Sequence, residues 1–400
     1  MSQQSAATKT NRLLTRLSPE GTPHQTATAG WPVIGLDARL VGYAAGIARY
    51  AMLLAEALMA LDGPEQYVIL RGRRAPQAPI GGPMAIQRQM LTPPHHPLER
   101  WSLPLEVVAR WPRPALLHSL DHVAPAWGAW RSVVTLHDLA FLLHPETHTP
   151  ASRAYYAATG ESARRAERVI AVSQRTASDA VRLLGLDPAR VRVVHEAAAP
   201  VFGPRRPEEL RPLAERFHLD LDRPYILFVG TLEPRKNVPL LLEAFALLRK
   251  HVDAQLLLVG ARGWLDEPIF QAHARSGVGD AARFLGTLGE ADLAVLYSHA
   301  GVFVLPSVYE GFGLPVLEAM ACGAPVVCSN AGPLPEVAGD AAVLLPPEDP
   351  ALWATAIHEV LIDPARAANL RQRGFARARE FSWARAAHAT REVYREALLA

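Results

Sequence analysis

The chain has 400 residues, 50% hydrophobic and 20% charged, which describes a globular protein long enough for two domains and excludes a disordered chain or a fibrous repeat. Its 41 Lys and Arg against 39 Asp and Glu leave a net charge of +2, too small for a general nucleic-acid binder, so any positive site must be local. Only two cysteines, Cys322 and Cys328, rule out a disulfide scaffold or a thiolate zinc site and fit a reducing cytoplasm. Arginine carries nearly all the positive charge, since lysine occurs only at Lys9, Lys236 and Lys250.

Residues 1–30, rich in Ser, Thr, Gln and Gly, read as a flexible N-terminal tail without a hydrophobic signal-peptide core, so a cytoplasmic location is expected. No apolar run reaches the roughly 20 residues that span a bilayer. From Trp31 onward short runs rich in Val, Ile and Leu alternate with longer amphipathic stretches, the pattern of parallel sheets covered by helices on both faces. Strands are expected at Pro32–Asp37, Tyr67–Leu70, Ala115–Leu120, Ser132–Asp138, Arg168–Ser173 and Val191–Glu196. A second set is expected at Tyr225–Gly230, Gln255–Gly260, Ala282–Leu288, Gly301–Ser307, Pro325–Asn330 and Ala341–Pro346. The charged, proline-bearing stretch Pro200–Pro224 separates the sets. The economical reading is α/β: two doubly wound, Rossmann-like domains, 31–200 and 201–380, facing each other across a crevice. Helical periodicity then covers 350–363, 365–380 and 383–399, and residues 381–400 are expected to cross back onto the first domain.

The densest chemical signal is Val304–Asn330. A buried strand runs into a loop holding Glu310, then Gly311-Phe312-Gly313, then a short helix with Pro315 in its first turn and Gly323 at its end. The backbone N–H groups of Phe312, Gly313 and Leu314, with the positive end of the helix, form an anion site fit for a diphosphate, and the glycines allow close approach. Glu310 and Glu318, with seven residues between them, frame that loop. Taken singly, each glutamate reads first as structural, one as a surface residue and the other as a first-turn carboxylate well placed at the helix dipole. Taken with the glycines they describe a nucleotide sugar, one acid for the sugar ring and one for the ribose.

A second feature opens the same domain, in Phe228–Phe245: a strand ending at Gly230, a turn at Glu233-Pro234, and Arg235 and Lys236 opening the next helix with Asn237-Val238-Pro239 in its first turn. Cations there oppose the helix dipole, which makes sense if an anion is bound between them and the helix end. Lys236, one of three lysines, suits a compact point charge on phosphate beside an arginine fork. In the first domain His137-Asp138 ends a strand, and Gly42 and Gly46 lie between strand one and its helix. Both loops are expected to open onto the crevice of the Glu310 loop.

These segments resemble the retaining glycosyltransferases of family 4, whose fold is called GT-B. The resemblance spans essentially residues 32–395 and is most specific in Gly230-Thr-Leu-Glu-Pro-Arg-Lys-Asn, Leu285-Gly-Thr-Leu, Pro306–Val327 and Leu334-Pro-Glu-Val-Ala-Gly-Asp. It implies that Glu310 contacts donor-sugar hydroxyls, that Glu318 binds the ribose, that Arg235 and Lys236 hold the diphosphate, and that His137 lies beside the donor sugar. Two departures stand out. The family's G-I-G-R-Y is Gly46-Ile47-Ala48-Arg49-Tyr50 here, and its N-G-V-D region is replaced by His195-Glu196-Ala197-Ala198, where no residue is assigned.

The implied reaction moves a hexose from a nucleoside diphosphate to an acceptor hydroxyl with retention, the leaving diphosphate being stabilised by Arg235, Lys236 and the Phe312–Leu314 amides. No metal and no cofactor are expected. The triplet Asp220-Leu221-Asp222 precedes a strand and reads as a solvated turn, not a cation site. The general look leans toward bacterial mannosyltransferases of surface-polysaccharide assembly, with a glycan or lipid-linked acceptor. Residues 71–131 hold eight arginines against three acids and four of the eight tryptophans, which suits contact with anionic lipid at the inner membrane face and suits a solvated loop region over core tryptophans equally well. Two other readings stay open: a sugar-nucleotide epimerase of the same architecture, using His137 and Glu310 as acid and base, and a non-catalytic nucleotide-sugar-binding protein.

Overall fold

Strands that are buried on both faces need no polar side, and that explains the unbroken apolar runs along this chain. The computed structural model describes residues 32–42, 46–76, 78–82, 85–110 and 114–400, so the tail reading of residues 1–30 lies outside the described residues. Within them β1 (Val33–Ala38), β2 (Gln66–Arg71), β3 (Ile86–Gln89), β4 (Leu116–Ser119), β5 (Arg131–Leu136), β6 (Arg168–Ala171) and β7 (Val191–Val193) form one sheet in the order β3-β2-β1-β4-β5-β6-β7. A second sheet joins β8 (Tyr225–Val229), β9 (Gln255–Val259), β10 (Ala282–Gly286), β11 (Val302–Leu305), β12 (Val326–Ser329) and β13 (Val343–Leu345) in the order β10-β9-β8-β11-β12-β13. Neighbouring strands are parallel in both sheets. The strand unforeseen in the sequence is β3, an edge strand reading Ile-Gln-Arg-Gln, half exposed and without the apolar run that marks a buried strand.

Each sheet reverses its strand order once, between β1 and β4 in the first and between β8 and β11 in the second. Loops leaving neighbouring strands at such a point diverge to opposite faces and leave a crevice at the carboxyl ends. The segments after β8 and β11 are the ones carrying Arg235, Lys236 and Glu310. The triplet Asp220-Leu221-Asp222 lies in the turn before β8, where the Asp220 N–H donates to Gln255 Oε1 at 3.1 Å and the Asp222 N–H to the Asp220 carboxylate at 3.1 Å.

Three helices end the chain. Pro350–Ile362 packs on the helix Val238–Leu248, and Pro364–Ala378 packs on the helix Leu314–Cys322, both in the second half. The last, Trp383–Leu399, leaves that half and lies on the helix Gly46–Met59 and against β4, β5 and β6. Its Tyr394 hydroxyl is 2.7 Å from His118 Nδ1 in the core of the first sheet, and Glu396 pairs with Arg168 and Arg192, each at 2.9 Å. Both Tyr394 and His118 are buried, so removing the hydroxyl strands a ring nitrogen away from water. Tyr394→Phe is expected to cost about 1–3 kcal/mol of stability, read as a lower urea midpoint at unchanged slope; an unchanged midpoint would show that the contact contributes nothing.

Candidate functional site

The site is built around a buried carboxylate. Glu310, only 5% exposed, leaves β11 through the loop that begins at Pro306. Lys236 Nζ donates to its Oε1 at 2.6 Å, Arg235 Nη1 donates to Oε2 at 3.0 Å, and the Ser307 hydroxyl donates to Oε1 at 2.6 Å. Arg235 also donates to the Tyr309 carbonyl at 3.0 Å and, through Nη2, to Glu233 Oε1 at 2.7 Å. Burial alone pushes the Glu310 carboxyl up, but Lys236, Arg235 and the hydrogen bonds outweigh it and hold the carboxyl at about 2.

This geometry corrects two details of the sequence reading. Arg235 and Lys236 do not open the next helix; they form a 3-10 turn, Pro234–Lys236, and the helix Val238–Leu248 starts after Asn237, whose left-handed φ of 54° turns the chain. Nor do the two cations wait unpaired for an anion, because Glu233 and Glu310 already balance them. A lysine ammonium has three donors and an arginine five, so the cluster is close to charge-neutral while its cations carry more N–H donors than the two carboxylates take.

The glycine loop is also explained by protein contacts. A Cβ on Gly311 would lie 2.1 Å from the carbonyl oxygen of His137, so the first half of the molecule approaches this glycine closely. Gly313, with φ 108°, starts the helix Leu314–Cys322 without a side-chain cap, and a Cβ there would meet Leu334 at 2.6 Å. The Phe312 ring packs between His195 and Phe381, with ring centroids 5.9 and 5.8 Å away. The Leu314 amide lies at the positive end of that helix.

Glu318 is buried one turn into the same helix and accepts from the Tyr297 hydroxyl at 3.1 Å. Its other oxygen is held by Arg49 Nη1 from the helix Gly46–Met59, and Arg49 Nε reaches Glu290 at 2.8 Å. Burial pushes the Glu318 carboxyl above its ordinary value, with Arg49 and Tyr297 pulling against it. Glu310 and Glu318 therefore stand in different electrostatic settings, one beside two cations and one beside a single cation shared with Glu290.

His137, after β5, is buried, with Nε2 2.9 Å from the Leu120 carbonyl and Nδ1 3.3 Å from Glu196 Oε1. At Gly46 a Cβ would meet nothing within 4 Å, so packing does not demand glycine there; at Gly42, φ 103°, a Cβ would lie 2.0 Å from the Arg74 carbonyl, so glycine is required. Gly230 follows β8, and its carbonyl comes close enough to Gly260 that a Cβ there would be 1.9 Å away. The loops of both halves do meet: His137 lies against Gly311, and Arg49 lies against Glu318.

The family model of the glycosyl transferases group 1 matches residues 213–377, and that of glycosyltransferase family 4 matches residues 44–198. The chain is 38% identical over 269 residues to the O-antigen chain mannosyltransferase B of Escherichia coli, covering 66% of this chain and 70% of that one. The chain belongs to the group 1 glycosyltransferases. Among solved structures this glycosyltransferase superposes on the sucrose-phosphate synthase of Thermosynechococcus elongatus with a TM-score of 0.73 at 23% identity, covering 91% of this chain and 98% of that one. It superposes on Anabaena HepE in complex with UDP and glucose with a TM-score of 0.73 at 19% identity, covering 92% and 100%. They share its GT-B fold.

Four residues of this glycosyltransferase that touch the predicted site were not singled out from the sequence: Arg49, Glu196, Glu233 and Ser307. Glu233 was within reach, because a carboxylate two residues before Arg235 is placed to orient its guanidinium. The depressed Glu310 carboxyl makes a contribution to stability that is present above the unfolded carboxylate value of about 4.3 and is lost as pH falls from there toward about 2. Glu310→Gln removes it, so the variant's unfolding midpoint is expected to fall less steeply than the wild type's between about pH 4.5 and pH 2.5; parallel curves would contradict the paired carboxylate.

Proposed function

We propose that this glycosyltransferase transfers mannose from a nucleoside diphosphate to a hydroxyl of a glycan or lipid-linked acceptor in surface-polysaccharide assembly, with retention at the anomeric carbon and without metal or cofactor. The observation that carries the donor side is the Glu310–Lys236–Arg235 cluster spanning the loops after β8 and β11, where the sheet reverses its order. In this reading Glu310 binds hydroxyls of the hexose and Glu318 the ribose. Gly230 lets the β8 loop turn toward the diphosphate, which Lys236, Arg235 and the Phe312, Gly313 and Leu314 amides hold. His137 and Gly46 contribute from the first half. As the glycosidic bond breaks, the electron pair leaves with the diphosphate, and these fixed charges and dipoles stabilise it where a metal ion would otherwise be needed. Mannose rests on the similarity to the O-antigen chain mannosyltransferase B.

Purified chain assayed in EDTA with GDP-, UDP- and ADP-hexoses is expected to transfer the sugar from one donor class. Lys236→Ala and Glu310→Ala are each expected to lower kcat by about 100-fold or more. Full activity in both variants would overturn the site, strict Mg²⁺ dependence would overturn the metal-free mechanism, and isomerisation of the sugar nucleotide without acceptor would favour the epimerase.

The acceptor side is proposed to meet an anionic bilayer. Among the described residues no helix is long and apolar enough to cross a membrane. The helix Glu99–Arg110 instead exposes Trp101, Leu105 and Val108 on one face, continued by Leu98 before it. Exposed Arg88 and Arg110 supply nearby positive charge, though Arg110 pairs with Glu106 at 3.3 Å, while Arg100 and Arg131 are tied to Glu161 and Glu167. An apolar stripe beside arginine suits the boundary of an anionic membrane; Arg113 and Trp111 lie outside the described residues. The chain is expected to float with vesicles containing phosphatidylglycerol and not with pure phosphatidylcholine, and the double change Trp101→Ala, Leu105→Ala is expected to abolish flotation. Equal flotation by wild type and double variant would contradict this surface.

A further inference from the structure

The segment His195-Glu196-Ala197-Ala198, just after β7, departs from the family pattern. Its first two side chains point to different halves of the molecule. The His195 ring stacks on Phe312 of the glycine loop at 5.9 Å, and its Nε2 is 2.7 Å from Glu336. Glu196 turns the other way, is 4% exposed as a residue, and brings Oε1 to 3.3 Å from His137 Nδ1.

Both nitrogens of His137 thus face oxygens that can only accept. The Leu120 carbonyl, 2.9 Å from Nε2, has no proton to give, and an ionised carboxylate at Nδ1 has none either. A neutral imidazole has one N–H and would leave one of these contacts as an acceptor facing an acceptor. A carboxylate buried to this degree also needs a cation close by.

We propose that Glu196 is a positioning residue for His137, fixing the ring as an imidazolium with Nδ1–H directed to Glu196 and Nε2–H to Leu120, so that His137 acts in transfer as a fixed positive charge and not as a proton acceptor. The other groups that face the ring divide in sign. Asp121, after β4, favours the charged form, as does Glu196. His122 from the same loop, with its ring 5.8 Å away, opposes it, and His118 on β4 lies near enough to be held neutral in part by it. Tyr50 from the helix Gly46–Met59 presents its ring at 87° to the His137 ring, 4.7 Å away, and seals that side from water. Burial by itself lowers the imidazole's affinity for a proton, but Glu196 and Asp121 reverse this and raise it above the ordinary value. The backbone carbonyl of His137 lies against Gly311, so the ring is carried by the segment of the first half that meets the loop assigned to the donor.

The proposal rests on the transferase reading for its kinetic arm only. The direct test is proton NMR of the His137 Cε1–H, assigned by its loss in His137→Asn, titrated in wild type, Glu196→Gln and Glu196→Asp. In the wild type the ring is expected to titrate above about 6.5. Glu196→Gln keeps an acceptor without the charge, so the midpoint is expected to fall by about one unit or more, with Glu196→Asp recovering most of it. Activity carried by the charged ring is lost as pH rises through its midpoint, so the alkaline limb of kcat is expected to move to lower pH by the same amount in Glu196→Gln. An unmoved midpoint overturns the pair, and a moved midpoint with an unmoved kcat profile overturns the role of the charge. If Glu196→Gln does not fold, a wild-type His137 titrating below about 6.5 overturns the proposal by itself. Absence of transfer from every donor would refute the transferase reading and leave the titration to decide the pair.

Discussion

A carboxylate shut away from water at the end of a central strand has to be compensated, and the compensation of Glu310 organises this molecule. Two cations answer it, and both come from the loop after β8, across the point where the second sheet reverses its strand order. The ion pairs therefore tie the two diverging loops into one surface. Glu233, itself buried, fixes the guanidinium from the other side, so that Arg235 is held at both ends of its fork. Rigid charges of this kind cost no reorganisation when negative charge develops next to them, which is the property a departing diphosphate requires.

The two halves meet near this surface through several polar contacts. The Ser173 hydroxyl donates to the Gly311 carbonyl at 2.9 Å, the Tyr309 hydroxyl to Asp179 at 3.0 Å, and the Trp264 indole N–H to the Thr147 carbonyl at 2.6 Å. Glu336 accepts from the Gln174 N–H at 2.9 Å, placing a carboxylate at the positive end of the helix Gln174–Leu184. Polar contacts exchange for water at little cost, so a seam of this type suits halves that part to admit a substrate. Arg49 gives the seam a link to the ligand: in the proposed reading a ribose hydroxyl reaching Glu318 competes with Arg49 for the same carboxylate.

Much of this was legible in the sequence, for identifiable reasons. Strands buried on both faces announce themselves as apolar runs, so every strand but β3 was visible; an edge strand such as Ile86–Gln89 carries no such signal. Glu310, Arg235, Lys236 and Glu318 were visible because charged groups were spaced around glycines at strand ends. Their mutual pairing was not, because it depends on which loops the strand order makes neighbours. Gly311 shows the limit from another side. Its need for glycine comes from the His137 carbonyl, 174 positions earlier in the chain, and no local pattern encodes that approach. Arg49 and Glu196 were hidden for the same reason, each acquiring its meaning from a partner in a distant segment.

The central claim is that the Glu310 cluster receives the diphosphate of a sugar donor, and a crystal structure with a bound nucleoside diphosphate tests it most directly. The account predicts the phosphates against Lys236, Arg235 and the Leu314 amide, with the ribose on Glu318 and Arg49 displaced from that carboxylate. A nucleotide bound elsewhere, with the Arg49–Glu318 pair intact and no phosphate within reach of Lys236, would contradict it.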